Sequence, residues 1–545
     1  MRFAVTCISK AHVQTNSISR RLQQAGLSGN TKIQQAKTGN QYFLLHVEKN
    51  MSSAAATTVQ SIVEALAGVV GSENVHTDIE TLKKYSCDTS LMPARMPDFI
   101  VRVMTRDEIM GVIKFANANR IPVVPRSSGT GTYGTGIPME GGIILDLSGM
   151  KRIPRTDTRN RWVLLEAGVT FGEVNEELAK HGMQCLNPLL PRKDKSVITS
   201  VLEREPVLTC KTECDEPFRT AELVWGTGEL MRTGAMSVDH MPPEDMPDKT
   251  HSDLCGCGGP GIDWWRLLTG CQGTFGVVNI MNVKIFHKPL KQKIVFLPFD
   301  RIEDAVMPLY TIQRREIGHE CFLLNGMDLA AILAEDGADI AALAQKLPNF
   351  AIVLNLWGGQ FFPNDRIAYE EKAIKDICDQ FHCSVSEGLS AVRDANVQLQ
   401  GMLNSPWQGD VYWKDRAKGA CIEIVFQNGL DKVPALWNTF TKLAGDYGLD
   451  TRELGMYIQP RQRCRVCHVE FHIPCDPQGA DLANVKAFQR RAAETLINEG
   501  AFFYRPYYDW ADMIYARAGY TFETIKKLKN ILDPNHTLNP GKILL

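Results

Sequence analysis

Between Ile121 and Gly149 the chain reads IPVVPRSSGTGTYGTGIPMEGGIILDLSG, and no other stretch limits the fold as much. An apolar β-type run enters a loop built almost wholly of Gly, Ser and Thr, and a second β-type run, Ile143-Ile-Leu-Asp-Leu, leaves it. Glycine reaches positive φ and lets other atoms approach the backbone, so successive N–H groups can face one concavity. Such a nest suits a phosphate or pyrophosphate. Gly129-Thr-Gly131-Thr-Tyr-Gly134 has the spacing of the dinucleotide fingerprint, but that fingerprint works only where the loop opens a helix. The next residues, Thr135, Gly136, Ile137, Pro138 and Gly141-Gly142, cannot begin a stable helix. The loop therefore runs strand to strand, and the alternative to an anion nest is a flexible hairpin connection.

The surrounding chain has the composition of a soluble globular protein. Its 545 residues are 44% hydrophobic and 22% charged, enough for two or three domains. A net charge of −2 gives no general affinity for nucleic acid or membrane surfaces. No apolar run approaches the ~20 residues needed to span a bilayer. Fifteen unevenly spaced cysteines read as reduced thiols of a cytoplasmic protein. Cys210, Cys214, Cys255 and Cys257 fit no strong metal template, so no metal is assigned.

Four further blocks accompany the glycine loop Pro125–Gly136: Glu166-Ala-Gly-Val-Thr-Phe-Gly172, Gly228-Glu-Leu-Met-Arg-Thr-Gly234, Gly270-Cys-Gln-Gly-Thr-Phe-Gly-Val-Val278 and Leu532-Asp-Pro-Asn-His-Thr-Leu-Asn-Pro-Gly-Lys542. In this order and spacing the sequence resembles the FAD-binding oxidoreductases of the vanillyl-alcohol oxidase and p-cresol methylhydroxylase family, over roughly residues 60–545. The resemblance implies an α+β fold, with a two-part FAD-binding domain and an antiparallel-sheet substrate (cap) domain. It implies FAD held by Pro125, Arg126, Ser127, Ser128, Gly129, Thr130, Gly131, Thr132 and Gly134 of the loop. Pro188, Gly273, Gly276, Val277, Val278, Asn539 and Lys542 would complete that site, with His468 and Arg505 beside the flavin.

The same resemblance implies catalytic roles for Tyr504 and Arg505, which precede the terminal block as a Tyr-Arg pair does in phenol-oxidising relatives. There the arginine and two tyrosines hydrogen-bond the substrate phenolate, and the arginine also balances the reduced flavin. Tyr133 would be the second tyrosine, one residue short of the family spacing. The chemistry agrees, because a fixed guanidinium in a dry pocket favours a phenolate and keeps its charge where an ammonium could lose it. Leu189 stands near the position where those relatives carry a catalytic carboxylate, which is a departure. In Cys464-Arg-Val-Cys467-His468-Val-Glu470-Phe-His472, the period of two puts His468, Glu470 and His472 on one strand face. His468 is the nearest match to the histidine that bonds flavin covalently in some relatives, with Cys467 as the alternative. The face also admits a metal site, a catalytic base or a polar wall.

Residues 1–50 carry seven Lys/Arg against one Glu and show no period. They are read as a disordered extension, either a transit-like presequence or an overextended start with the protein beginning at Met51. Residues 51–288 would form the FAD-binding domain, 289–500 the substrate domain, and 501–545 a segment returning to the first. The expected activity is hydride transfer to FAD from a para-substituted phenol or benzylic alcohol, with a cytochrome or other electron-acceptor protein and a homodimer or higher homo-oligomer as partners. The alternatives are an FAD-dependent 2-hydroxy acid dehydrogenase of the glycolate or lactate type, and a non-catalytic subunit retaining the fold. The metal-binding His-Gly-Asp-Gly-Asn-x-His type motif of the hydroxy-acid enzymes is absent.

Overall fold

The computed structural model describes residues 53–209, 217–238, 264–507 and 509–543. The four cysteines weighed as metal ligands lie outside them, as do residues 1–50 and most of the 236–261 insertion. The chain divides into two compact units, Met1–Ile62 and Val63–Leu545. Of the first, only the start of the helix Ser53–Val70 is described. The three sheets all belong to the second.

The first sheet contains β1 (Val75–His76), β2 (Phe99–Arg102), β3 (Val123–Arg126) and β4 (Ile143–Asp146), in the order β1-β2-β4-β3. β3 and β4 pair in parallel, from Val123 with Ile143 to Arg126 with Asp146. This overturns the hairpin alternative, since two parallel neighbours need a crossover and a hairpin joins antiparallel ones. Here the crossover is the glycine loop itself. Gly142 ends it at φ +83°, where a Cβ would collide with the Pro122 carbonyl, so only glycine fits. The helix between β2 and β3 runs Arg106–Asn119, with Thr105 capping the Glu108 amide as the sequence implied. The terminal block returns to this sheet: Val123 donates to the Thr537 carbonyl and Asn539 donates to that of Val123.

The second sheet is antiparallel and holds β5 (Arg155–Asp157), β6 (Trp162–Glu166), β7 (Met183–Cys185), β8 (Phe218–Trp225), β9 (Leu230–Arg232) and β10 (Gly276–His287). Its order is β5-β6-β10-β8-β9, with β7 also pairing β10.

The third sheet, also antiparallel, contains β11 (Lys291–Phe299), β12 (Glu320–Asn325), β13 (Phe350–Gly358), β14 (Ala420–Asn428), β15 (Gly455–Arg461) and β16 (Val466–Cys475). Their order is β11-β13-β12-β15-β16-β14. Both faces are covered. On β13, Ile352, Leu354 and Leu356 join one core, with helices Ile302–Arg314, Pro363–Phe381, Val433–Asp446 and Leu482–Asn498. Ala351 and Val353 point to the other core, with helices Gly326–Leu333 and Ala395–Leu403. On β16 the same alternation sends Cys467, Val469, Phe471 and Ile473 to the first core, and His468, Glu470 and His472 to the opposite face.

Candidate active site

A cleft with about 940 Å³ of empty space runs over the glycine loop. Pro125, Arg126, Ser127, Ser128, Gly129 and Gly131 line one side, and Gly273, Gly276, Val277 and Val278 line another. Arg126 is turned back to brace the loop, donating to the carbonyls of Tyr85 (3.0 Å) and Cys87 (2.9 Å). Gly129 and Gly273 sit at φ +71° and +70°, and a Cβ on Gly273 would press on Pro125. Small residues and bare backbone are what close approach to a pyrophosphate requires. Ile198, Leu202, Val277 and Val278 add apolar wall for a ring system. Asp88 also lines the cleft, and its Oδ2 is buried with no hydrogen-bond partner. This glycine-lined trough with its apolar wall fits a dinucleotide.

Asn539 and Lys542 do not line that cleft; they fasten the loops that form it. Asn539 Nδ2 donates to the carbonyls of Thr135 (3.0 Å) and Gln272 (2.7 Å), tying the glycine loop to the Gly270 block. Lys542 Nζ donates to the Gly134 carbonyl at 2.7 Å, and burial, opposed in part by Asp88, brings its pKa down to about 8.

Thr130, Thr132, Tyr133 and Pro188 line a second, inner cavity, with Leu189 in its wall. Its other walls are strongly polar: Arg192, Lys195, Glu205, Tyr412, Lys414, Glu423, Tyr457 and Glu470. Lys195 Nζ bonds both Glu203 (2.6 Å) and Glu205 (2.7 Å), and Arg192 pairs with Asp415 at 2.6 Å. Glu203 faces the first cleft and Lys195 the second, so this triad, buried but for the partly exposed Glu205, forms the wall between them. Burial lifts the Glu203 carboxyl above its ordinary value despite the lysine. Tyr133 and Glu423 also border a third, wider cleft of about 2080 Å³.

Tyr133, Tyr504, Arg505 and His468 are brought into one network. The Arg505 guanidinium lies 5.2 Å from the Tyr504 ring and 6.0 Å from that of Tyr133. It donates to the Arg204 carbonyl and, at 3.4 Å, to the Tyr133 hydroxyl, while its Nε is buried without a partner. Tyr133 donates to Glu423 Oε2 at 2.5 Å and stacks on Tyr507, centroids 3.9 Å apart. The Tyr504 hydroxyl meets His468 Nδ1 at 2.7 Å, and His468 Nε2 meets Glu470 Oε1 at 2.7 Å. Lys414 closes the ring, bonding Glu470 (2.5 Å) and Glu423 (2.8 Å). Burial pushes the hydroxyls of Tyr133, Tyr504 and Tyr507 above their ordinary values and brings His468 down to about 4. At neutral pH all four are uncharged beside a charged Arg505.

The placements of His468 and Arg505 also differ from what the resemblance implied. His468 lies off the FAD-type cleft, and both its ring nitrogens are engaged, so no free imidazole nitrogen faces that cleft. The His-Glu-His face exists, and Glu423, Glu470 and His472 have donor atoms within 4.8 Å of one another. The cation between the two carboxylates, however, is the Lys414 ammonium. Arg505 borders neither cavity directly and reaches the inner one through Tyr133. Glu203, Lys195, Lys414 and Glu423 do not stand out as site residues in the sequence; the only local signal is the basic run ending at Lys195.

A family model described as an FAD binding domain matches residues 97–202. Over 213 residues the chain is 24% identical to a D-lactate dehydrogenase of Anaerostipes hadrus, covering 38% of this chain and 41% of that protein. Over 265 residues it is 26% identical to the flavoprotein subunit of 4-cresol dehydrogenase (hydroxylating) of Pseudomonas putida, covering 45% and 47%. The chain thus spans less than half the length of each of these two relatives. Its fold matches a solved p-cresol methylhydroxylase with substrate bound at a TM-score of 0.72 and 19% identity, covering 91% of this chain and 98% of the other. Much of the glycine-lined cleft lies within the matched domain: the chain carries an FAD binding domain over residues 97–202, with FAD as its cofactor, inside a fold shared with p-cresol methylhydroxylase.

Proposed function

We propose that this chain is an FAD-dependent oxidoreductase acting on a para-substituted phenol or benzylic alcohol. The observation that carries the reading is the convergence of Arg505 and Tyr504 behind Tyr133, which itself lines the inner cavity. When bound, FAD supplies the hydride acceptor. The chain's own residues prepare the substrate. A phenol bound against Tyr133 has, directly behind that hydroxyl, a guanidinium that cannot give up its proton, and the phenolate is favoured there. Tyr133 Oη, already donating to Glu423 Oε2, offers the route by which the phenol's proton leaves. The Lys195 triad and the stacked Tyr133–Tyr507 pair close the cavity walls against water.

A 2-hydroxy acid dehydrogenase is the second reading, supported by the D-lactate dehydrogenase likeness and by Arg192, Lys195 and Lys414 in the cavity lining. Each of these cations is already paired with a carboxylate, which disfavours a further anion. Anaerobic flavin bleaching by a para-substituted phenol, its methyl ether and a 2-hydroxy acid separates the readings. The phenol is expected to reduce the flavin at least tenfold faster than the ether, and the hydroxy acid not at all. Equal rates for phenol and ether would remove phenolate recognition, and bleaching by the hydroxy acid alone would establish the second reading. Flavin bound but reduced by none of the three would point to a non-catalytic subunit.

The cofactor's seat has its own test. A Cβ on Gly131 would lie 3.3 Å from Glu203 Oε1 and 3.6 Å from Asp88 Oδ2, inside the cleft, and its φ is not in the left-handed region. Gly131→Val is therefore expected to fold and yet retain little flavin after desalting, read from visible absorbance against protein absorbance. Full occupancy would place the cofactor elsewhere.

A further inference from the structure

Away from the site, the hairpin that joins β15 to β16 brings two thiols together. Its reversal is made by Gln462, Arg463 and Cys464, all left-handed, with φ of 48°, 57° and 63°. An Arg465 N–H to the Gln462 carbonyl, 3.3 Å, closes the turn. Non-glycine residues enter this region reluctantly, so three in succession are a backbone held by what surrounds it. The result is that Cys464 Sγ lies 3.6 Å from Cys467 Sγ, in van der Waals contact, at a Cys-x-x-Cys spacing. Cys464 is 3% exposed and Cys467 wholly buried, while the flanking Arg463 and Arg465 are exposed. The pair thus sits just beneath the surface, at a hairpin tip.

We propose that Cys464 and Cys467 form a disulfide on exposure to hydrogen peroxide, a covalent modification site separate from the flavin chemistry. One sulfur, as thiolate, attacks a peroxide oxygen; the O–O bond breaks, water leaves after proton uptake, and a sulfenic acid remains. The second sulfur attacks the first, the S–S bond forms, the S–O bond breaks and a second water departs. Two thiols and one peroxide thereby give one disulfide and two waters. Closing from van der Waals contact to the ~2.05 Å of a disulfide needs movement of the tip alone. The β14–β16 ladder ends at Asn428 with Cys467, and the β15–β16 ladder at Arg461 with Val466, so neither has to open. Because His468 is the next residue, the bridge would also fix the end of β16 that carries the Tyr504 contact.

The test treats flavin-loaded protein with hydrogen peroxide, blocks remaining thiols with iodoacetamide and digests with trypsin. Trypsin cuts after Arg465, so only a disulfide keeps the fragment ending at Arg465 joined to the one containing Cys467. The expected result is that joined species in mass spectrometry, two hydrogens lighter than its separate parts, released by dithiothreitol and absent in C464S. Alkylation of both cysteines at their untreated level, at a peroxide dose that oxidises the exposed Cys87, would overturn the proposal. So would a bridge found only between Cys378 and Cys383, a second close pair whose backbones hydrogen-bond at 3.1 Å. The wild-type measurement decides the matter even if C464S does not fold.

Discussion

Arg505→Lys is expected to slow anaerobic flavin reduction by a para-substituted phenol about 10²–10³-fold, the usual effect of losing one preorganised charge-stabilising donor in a dry site. Arg505 is 1% exposed and fixed from several sides. Its backbone carbonyl accepts from Trp510 Nε1 (2.7 Å) and the Tyr507 N–H (2.9 Å), and its guanidinium spans the Arg204 carbonyl and the Tyr133 hydroxyl. An ammonium is a point donor and cannot bridge those groups while keeping its charge set behind the Tyr133 hydroxyl. Tyr504→Phe removes one neutral hydroxyl and should cost roughly five- to tenfold, in line with a single uncharged hydrogen bond. That loss should fall on free phenols and spare their methyl ethers. Stopped-flow reduction with both substrates, on variants shown to hold full flavin, reads the outcome. A lysine variant that reduces with a phenol as fast as wild type would end the phenolate reading while leaving the FAD assignment intact.

How far the sequence alone reveals each feature depends on how local that feature is. The glycine loop is legible because glycine and proline act on their own backbone. The same logic reads the Thr105 cap and the His468-Glu470-His472 alternation, each set by neighbours a few residues away. Pro298 in β11 and Pro460 in β15 hide those strands. Pro298 is tolerated on an edge strand, and Pro460 lies beyond the short stretch where β15 pairs with β12, at Ile458 and Tyr457. The candidate site is harder, because its partners come from distant segments. Tyr133 finds Glu423 across 290 residues and Arg505 finds Tyr133 across 372. Lys414 sits in a short 3₁₀ turn, Trp413–Asp415, with no periodic signal, yet it holds two carboxylates. Leu189 points to a missing carboxylate, and the carboxylates of the inner cavity that face Lys414 stand on β14 and β16, far from it in sequence.

Lys414→Met should therefore be the most destabilising single change in this network. Lys414, Glu423 and Glu470 are each about nine-tenths buried, and removing one member of a buried ion group typically costs roughly 3–5 kcal/mol, because the partner charges stay behind. The pH dependence distinguishes that cause from lost packing. Burial alone would raise Glu470, but the Lys414 ammonium and the two histidine contacts hold it well below 4.5. A carboxyl depressed in this way stabilises the fold above pH 4.5 and loses its contribution as pH falls through its folded value. His468, brought by burial from 6.5 down to about 4, behaves likewise, contributing above 6.5 and losing that contribution as pH falls toward 4. His472 runs the other way. Burial would lower it, yet Asp328 and Glu470 raise it to about 9, so its contribution is complete below 6.5 and lost as pH rises through 9. Wild type should accordingly have its highest apparent Tm near pH 6.5 and decline on both sides. Without Lys414 the depression of Glu470 relaxes, and its carboxyl takes up a proton at higher pH. The Tm deficit of Lys414→Met should be large at neutral pH and shrink as pH falls, since a protonated carboxyl no longer needs the ammonium. Scanning calorimetry of both proteins across that range measures this directly. A deficit equal at every pH would assign the loss to the packing of the lysine stem, and the charge network would lose its role in holding Tyr133 and His468 in place.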